Sequence, residues 1–289
     1  MFEILTELAY AKINFGLTVL PKREDGFHPI ESIFQTIDLY DELIVSENET
    51  GGCVVSCDSM ELPEKNTLTL AYNAFCEIAG VKVPGVYVKL IKGIPAGGGL
   101  GGGSSDAAAL VRVLERICNI KLTAEQLEYV AAKTGSDVFF FMHCNREGKA
   151  CALVSGRGEV VREIKPRNDL LLLLIFPEAS SSTKEAYALV DDAIASGKEI
   201  KGPGYSDLEF IYNESVQNWT FINTFTPVIA KTLPEIGDAI GALKNAGCCY
   251  AEMSGSGSTV FGVFTLMQQA ELVRNLLADT WNCKLVRAV

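Results

Sequence analysis

Hydrophobic positions along this chain change spacing several times, and each change predicts an element. Over 9–20 and 32–46 they are dense and rich in Val, Ile, Phe and Tyr, the composition of strands. The polar run Pro21 to Gly26 between them predicts a turn. Residues 66–80 predict a helix closed by its last glycine, and 86–91 alternate as a strand. In 104–118 apolar residues recur at 107, 110, 111, 114, 117 and 118, the spacing of an amphipathic helix with serine or aspartate available as N-cap. Another helix is expected over 122–134, begun by Thr123 and stopped at Gly135. The continuous apolar run Leu170 to Phe176 reads as a fully buried strand. Helices at 182–196, 208–221 and 235–246 and a strand at 259–265 complete the pattern. Pro166 and Asn168, just ahead of the buried strand, mark a boundary in 160–168 and divide the chain into domains 1–164 and 165–289.

Composition narrows the function classes. With 289 residues, 48% of them hydrophobic, burial can offset the entropy of ordering, so disorder is excluded as the dominant state. A formal charge of −11 argues against nucleic acid or an anionic membrane as partner, yet leaves room for a phosphorylated small molecule in a local pocket. No apolar run approaches the roughly 20 residues that span a bilayer. The N-terminus, with Glu3, Glu7 and Lys12 among its apolar residues, lacks the layout of a secretory signal, so a cytoplasmic location is expected. Nine cysteines are irregularly spaced without a C-x-x-C pair, and only His28 and His143 could add imidazole; buried reduced thiols are expected, and no protein metal site.

The densest glycine cluster carries the chemistry. Six of the seven positions from Gly97 to Gly103 are glycine, at an entropic cost of up to ~1 kcal/mol each relative to alanine. Between a strand and an amphipathic helix, such a run aims backbone N–H groups and a helix dipole at one spot, an anion site suited to phosphate. A flexible linker would not lead straight into a capped helix. A Walker A loop needs a lysine that 97–106 lacks. Gly97, Gly99 and Gly102 match a dinucleotide fingerprint formally, but no acidic strand end follows about 20 residues on.

The loop PAGGGLGGGSSDAA at 95–108 resembles the phosphate loop of the GHMP kinases. AKINFGL at 11–17 is similar to that superfamily's first motif, and SGSGSTVFGVF at 254–264 to its third. DGFHPIESIFQTIDLYDEL at 25–43, GSDVFFF at 135–141, ALVSGRGEVV at 152–161 and SSTKEAY at 181–187 resemble the branch acting on 4-diphosphocytidyl-2-C-methyl-D-erythritol. The resemblance implies an α+β fold of two domains, the first like ribosomal protein S5 domain 2 and the second ferredoxin-like. It also implies an ATP-dependent phosphotransferase of the non-mevalonate isoprenoid route, using Mg²⁺. Small molecules would be its partners, and homodimerisation stays open. Another GHMP kinase, for mevalonate or homoserine, and a non-catalytic nucleotide-binding relative are the alternatives.

Residue roles follow from chemistry and resemblance together. An alcohol is a poor nucleophile at neutral pH, so a base and charge neutralisation are required. Asp137 is the expected base and Lys12 its partner; Asp137 also fits a helix N-cap, and Lys12 a solvated strand lysine. The resemblance assigns ATP to Pro95, Ala96, Gly97, Gly98, Gly99, Leu100, Gly101, Gly102, Gly103, Ser104 and Ser105, with Asn66 and Lys92 toward the adenine. It assigns the cytidyl substrate to Asn14, Phe27, His28 and Tyr187, with Phe27 and Tyr187 stacking on the base and His28 reading its edge. Ser254 to Thr259 are expected to buttress the loop by close glycine packing, and Asp106 is a candidate near the phosphates. Departures from the branch pattern are Phe27 for tyrosine, Tyr10 and Phe139 for proline, and Ser206 for asparagine.

Overall fold

The computed structural model describes residues 2–179, 181–197 and 202–289. Two long strands organise its first half. β1 (Leu5–Val19) and β2 (Ile30–Glu47) run antiparallel, and β2 is long enough to serve two further partners on its other edge. Its end, Glu42 to Glu47, pairs with β4 (Val86–Ile91), which is flanked by the parallel β3 (Cys53–Cys57). Its start, Ile30 to Gln35, pairs with β5 (Cys151–Gly156), and β6 (Val160–Glu163) closes a hairpin on β5 across the GRGE turn. Helices α1 (Thr67–Ile78), α2 (Gly102–Cys118), α3 (Ala124–Thr134) and α4 (Ser136–Met142) join this sheet through a core that includes Leu43, Val45, Phe75, Val88 and Leu110.

Local sequence explains where these helices start. Asn66 and Thr69 form a capping box on α1, as Thr123 and Gln126 do on α3. At α2 the expected serine or aspartate cap is wrong. Its N-cap is Gly101, in the left-handed region, and no side chain closes the first turn. The helix therefore starts two residues earlier than its amphipathic pattern, and its leading N–H groups stay uncommitted to any cap.

The second half is an antiparallel sheet of order β10-β7-β9-β8, with β7 (Leu171–Ile175), β8 (Tyr250–Met253), β9 (Val260–Phe264) and β10 (Cys283–Arg287). Helices α5 (Thr183–Ala195), α6 (Tyr205–Asn213), α7 (Thr226–Thr232), α8 (Pro234–Asn245) and α9 (Met267–Leu277) connect its strands, giving the expected ferredoxin-like order. The helix expected over 208–221 ends at Asn213. Val216, Trp219 and Phe221 instead reach the core from a short 3₁₀ turn and extended chain, so apolar density misread as helix there is burial without helical spacing. The nine cysteines are all free thiols, but only Cys151 is fully buried. Among the described residues, no helix is long and apolar enough to cross a membrane.

A shared core holds the halves together. Ile13, Phe15 and Ile33 of the first sheet pack with Leu172, Leu174 and Phe261 of the second, and the fully buried Tyr212 sits among them. Its hydroxyl donates to Gln35 Oε1 and accepts the N–H of Arg167 at 2.8 Å, tying β2, α6 and the chain before β7. Tyr212→Phe leaves both partners unsatisfied in a dry site. It should destabilise the fold by ~1–3 kcal/mol in urea unfolding, with an unchanged m-value; a loss near zero would show that the network contributes nothing.

Candidate active site

The site begins with an irregularity in β1. Between Tyr10 and Lys12 the register slips, because β2 holds extra residues between Thr36 and Tyr40. The freed Lys12 N–H donates to Leu100 O at 2.9 Å, joining β1 to the glycine loop. The Lys12 side chain is buried and lies 4.7 Å over the Phe34 ring. Its ammonium donates to Asn14 Oδ1 at 2.7 Å and Gly99 O at 3.0 Å, and sits 3.5 Å from Asp137 Oδ2. Burial pulls the Lys12 pKa below the ordinary lysine value, while Asp137 opposes that shift. Asn14, expected at the substrate, spends its amide on positioning: Nδ2 donates to Ser32 Oγ at 3.2 Å. Asp137 lies in the first turn of α4 and is not its N-cap, a position held by Gly135.

The glycine loop is shaped by contact with the turn between β8 and β9. At Gly99 (φ +74°) an added Cβ would lie 2.1 Å from Ser254 O. At Gly101 (φ +73°) it would meet the Phe141 ring at 2.9 Å and Lys12 Cγ at 3.2 Å. Thr259 N–H donates to Gly98 O at 3.2 Å and Ser254 Oγ to Gly99 O at 3.1 Å. The buttressing expected of Ser254 to Thr259 is thus present. Asn223, which sequence reasoning missed, pins this turn by donating to Met253 O at 2.9 Å and Gly255 O at 2.8 Å.

Lys92 does not stand free at an adenine end. Its ammonium bonds Asp41 Oδ2 and, at 3.2 Å, Asp106 Oδ2, beneath Gly102. Asp41 also accepts the N–H groups of Gly93 and Ile94 at 2.7 and 2.8 Å. Burial alone would lower the Lys92 pKa, but Asp106 and Asp41 together raise it. Asp106 Oδ1 is buried without a hydrogen-bond partner. Burial pushes this carboxyl well above the usual carboxylate range, with Lys92 opposing and Asp41 reinforcing.

A cavity of about 640 Å³ collects most of the expected residues: Lys12, Asn14, Asn66, Lys92, Pro95 to Ser104, Asp106, Asp137 and Tyr187. Ser105 is the exception in the loop, buried within α2 and off the wall. Asn66 faces the cavity but its side chain is committed to capping α1, with Nδ2 bonded to Pro63 O. Phe27 and His28 line a neighbouring cavity of about 450 Å³, and Tyr187 is the wall between the two. The aromatic residues expected around the base contact protein groups there. His28 itself stacks on Tyr187 (centroids 5.4 Å apart, 23° between planes), while the 53% exposed Phe27 packs against the Arg157 guanidinium at 4.8 Å. His28 Nδ1 bonds Leu20 O at 2.8 Å; its buried Nε2 lies 2.9 Å from Asp191 Oδ1 without the alignment of a hydrogen bond. Burial pushes the Tyr187 hydroxyl up to about 12, with Asp137 adding to the shift.

Comparison with known proteins matches this geometry. Residues 66–145 fit the GHMP kinases N terminal domain, and 208–283 the GHMP kinases C terminal domain. The chain is 38% identical over 292 residues to a 4-diphosphocytidyl-2-C-methyl-D-erythritol kinase of Treponema pallidum, covering 99% of this chain and 98% of the relative. The chain belongs to the 4-diphosphocytidyl-2-C-methyl-D-erythritol kinase family of GHMP kinases. Another member, from Thermodesulfovibrio yellowstonii, is 34% identical over 99% of this chain and 98% of its own length. A crystal structure of a 4-(cytidine 5'-diphospho)-2C-methyl-D-erythritol kinase superposes with a TM-score of 0.78 at 28% identity, covering 99% of this chain and all of that one.

Within this family frame, the residues missed from sequence are Asp41, Asn223 and Arg157. Asp41 lay in plain view in the quoted 25–43 segment, whereas Asn223 sits in no motif. The Lys92 cluster makes a prediction about pH. A carboxyl whose folded pKa is raised takes up a proton on folding, so its contribution to stability is complete below the unfolded value of about 3.9 and is lost as pH rises through the folded value. Asp106→Asn cannot ionise. Its unfolding free energy should therefore fall less steeply than that of the native chain across this window; parallel curves would exclude Asp106 as the titrating group.

Proposed function

We propose that this chain transfers the γ-phosphoryl group of ATP to the 2-hydroxyl of 4-diphosphocytidyl-2-C-methyl-D-erythritol, giving the 2-phosphate and ADP in non-mevalonate isoprenoid synthesis. The observation that carries the reading is the Lys12–Asp137 pair at 3.5 Å on the wall of the cavity that the glycine loop cradles. Asp137 accepts the hydroxyl proton as the substrate oxygen bonds to the γ-phosphorus and the bond to the β-phosphate oxygen breaks. Lys12, held by Asn14 and Gly99 O, stabilises the charge that develops on the transferring group. The N–H groups of the loop and of the open first turn of α2 take the phosphates.

Tyr187 joins the two cavities, so a cytidyl group beside Phe27 and His28 directs its alcohol end past Tyr187 toward Asp137. Lys22, Arg157 and Lys184 line that second cavity and supply charge for a diphosphate. A Mg²⁺ ion bound with the nucleotide would neutralise phosphate charge. Among the described residues no three metal-ligating side chains converge, which suits an ion held mainly by phosphate oxygens. A domain division near 164/165 is supported by the end of β6 at Glu163 and the start of β7 at Leu171. Cytoplasmic residence fits the nine unpaired thiols.

The decisive experiment is ATP turnover by purified protein offered 4-diphosphocytidyl-2-C-methyl-D-erythritol, mevalonate or homoserine. Turnover with the first alone is expected; turnover only with either of the others would overturn the substrate assignment. In the same assay Asp137→Asn should lower kcat by ~10²–10⁴-fold while ATP affinity changes little. Near-native kcat would remove Asp137 as base. His28→Ala should raise KM for the cytidyl substrate about tenfold, the loss of one hydrogen bond, at nearly constant kcat; an unchanged KM would rule out readout by His28.

A further inference from the structure

A second cavity as large as the first, about 660 Å³, lies along α2 from Ala108 to its C-terminal end and takes no part in the proposed reaction. Its walls combine two chemistries. Val111, Ile120, Leu127 and Met142 supply apolar surface. Arg112, Arg116, Lys121 and Arg146 supply four cations, in a chain whose formal charge is −11.

Four cations face two carboxylates at this cavity, and only Glu7 is fully paired. Both Glu7 oxygens are taken, by Arg112 Nε at 2.8 Å and Arg116 Nη2 at 2.6 Å. Glu115 accepts Leu122 N–H at 2.7 Å. Among the described residues, Lys121 and Arg146 have no hydrogen-bond or ionic partner. The carbonyl end of α2, which would oppose an anion, is closed by the N–H groups of Asn119 and Ile120. Cys144 also lines the cavity, but burial pushes its thiol up to about 12, so it offers no nucleophile.

We infer that this cavity binds a phosphate monoester carrying an apolar chain, its head between Lys121 and Arg146 and its tail against Leu127 and Met142. Two unpaired cations match a phosphate dianion better than a single carboxylate. The volume is that of a small-molecule site. The site is also wired to the glycine loop. Phe141 forms part of its wall, and the same ring abuts Gly101 closely enough that a Cβ there would lie 2.9 Å from it. A ligand that shifts Phe141 changes the loop's fit to nucleotide, and by linkage nucleotide changes the ligand's affinity by the same factor.

The test is calorimetric titration of the intact chain with n-octyl phosphate, with and without saturating ADP. We expect one site that persists with ADP present and whose Kd changes when ADP binds. Lys121→Ala/Arg146→Ala, two exposed positions remote from the proposed catalytic pair, should weaken it at least tenfold and leave basal kinase activity unchanged. Inorganic phosphate, n-octanol and octanoate should each bind at least tenfold more weakly than octyl phosphate. Loss of binding under saturating ADP would place the compound in the nucleotide site and overturn the proposal, as would an unaltered Kd in the double variant. Octanoate binding as tightly as octyl phosphate would overturn the phosphate head, and a Kd indifferent to ADP would overturn the coupling. None of these readings depends on which alcohol the kinase phosphorylates.

Discussion

One carbonyl oxygen, that of Gly99, receives the two bonds on which the site depends. It accepts the Lys12 ammonium at 3.0 Å from β1 and the Ser254 hydroxyl at 3.1 Å from the turn that follows β8. The oxygen has two lone pairs and both are used. The lysine, the phosphate loop and the second sheet are therefore fixed to one another at a single atom. Close approach of the backbones requires glycine there: a side chain at Gly99 would enter Ser254 O, and one at Gly255 would meet Gly99 O at 3.0 Å. The glycine-rich character of two motifs far apart in the chain is thus a single packing constraint. The shared core behind them, with Phe15 against Phe261 and Trp219, keeps the two sheets in the register this contact needs.

That constraint also sets the electrostatics. Lys12 is held among groups that each use part of its charge, and burial disfavours the ammonium that Asp137 supports. The two effects oppose each other, which keeps a cation in a dry pocket only while its carboxylate partner is in place. Removing Asp137 leaves the Lys12 ammonium buried without its carboxylate, whereas Asp137, 32% exposed, keeps contact with solvent when Lys12 is removed. The pair is therefore a structural unit as well as a chemical one, and the Asn14–Ser32–Gly16 chain of hydrogen bonds fixes its geometry from behind.

Much of this was legible in the sequence where local rules decide structure. The glycine run, the cap at Thr123 and the buried strand before Phe176 follow from propensity and spacing that need no tertiary partner. Residues whose role comes from a distant neighbour were not legible. Asn223 is an ordinary polar residue until Met253 and Gly255 arrive above it, and Lys92 looks like a surface lysine until β2 brings Asp41 beneath the loop. Likewise α2 carries cap-competent Ser104, Ser105 and Asp106, and a rule based on composition places the cap among them. The helix instead starts after the left-handed Gly101, and no side chain takes its first N–H groups. The stop of α6 at Asn213 was hidden for the opposite reason: the residues after it are as apolar as a helix face, but they are buried by the shared core.

The acidic balance of the chain then has a specific consequence. Both lysines on the main cavity wall are paired internally, Lys12 with Asp137 and Lys92 with Asp41 and Asp106. Neither brings uncompensated positive charge to a nucleotide. A field of −11 does not draw polyanions inward, and it is screened within about 10 Å at ordinary ionic strength in any case. Neutralisation of a triphosphate in this cavity would therefore rest on dipoles, the loop N–H groups and the open end of α2, and on the cation proposed to travel with it. The neighbouring cavity differs, because Arg157 and Lys184 stand on its wall beside a Lys22 that faces Asp191 at 3.7 Å. The two cavities thus offer an anion different means of neutralisation. Fixed dipoles lose little to salt, whereas exposed side-chain cations are screened by it. Ionic strength should therefore act mainly on anion binding at the neighbouring cavity and little on anion binding at the glycine loop.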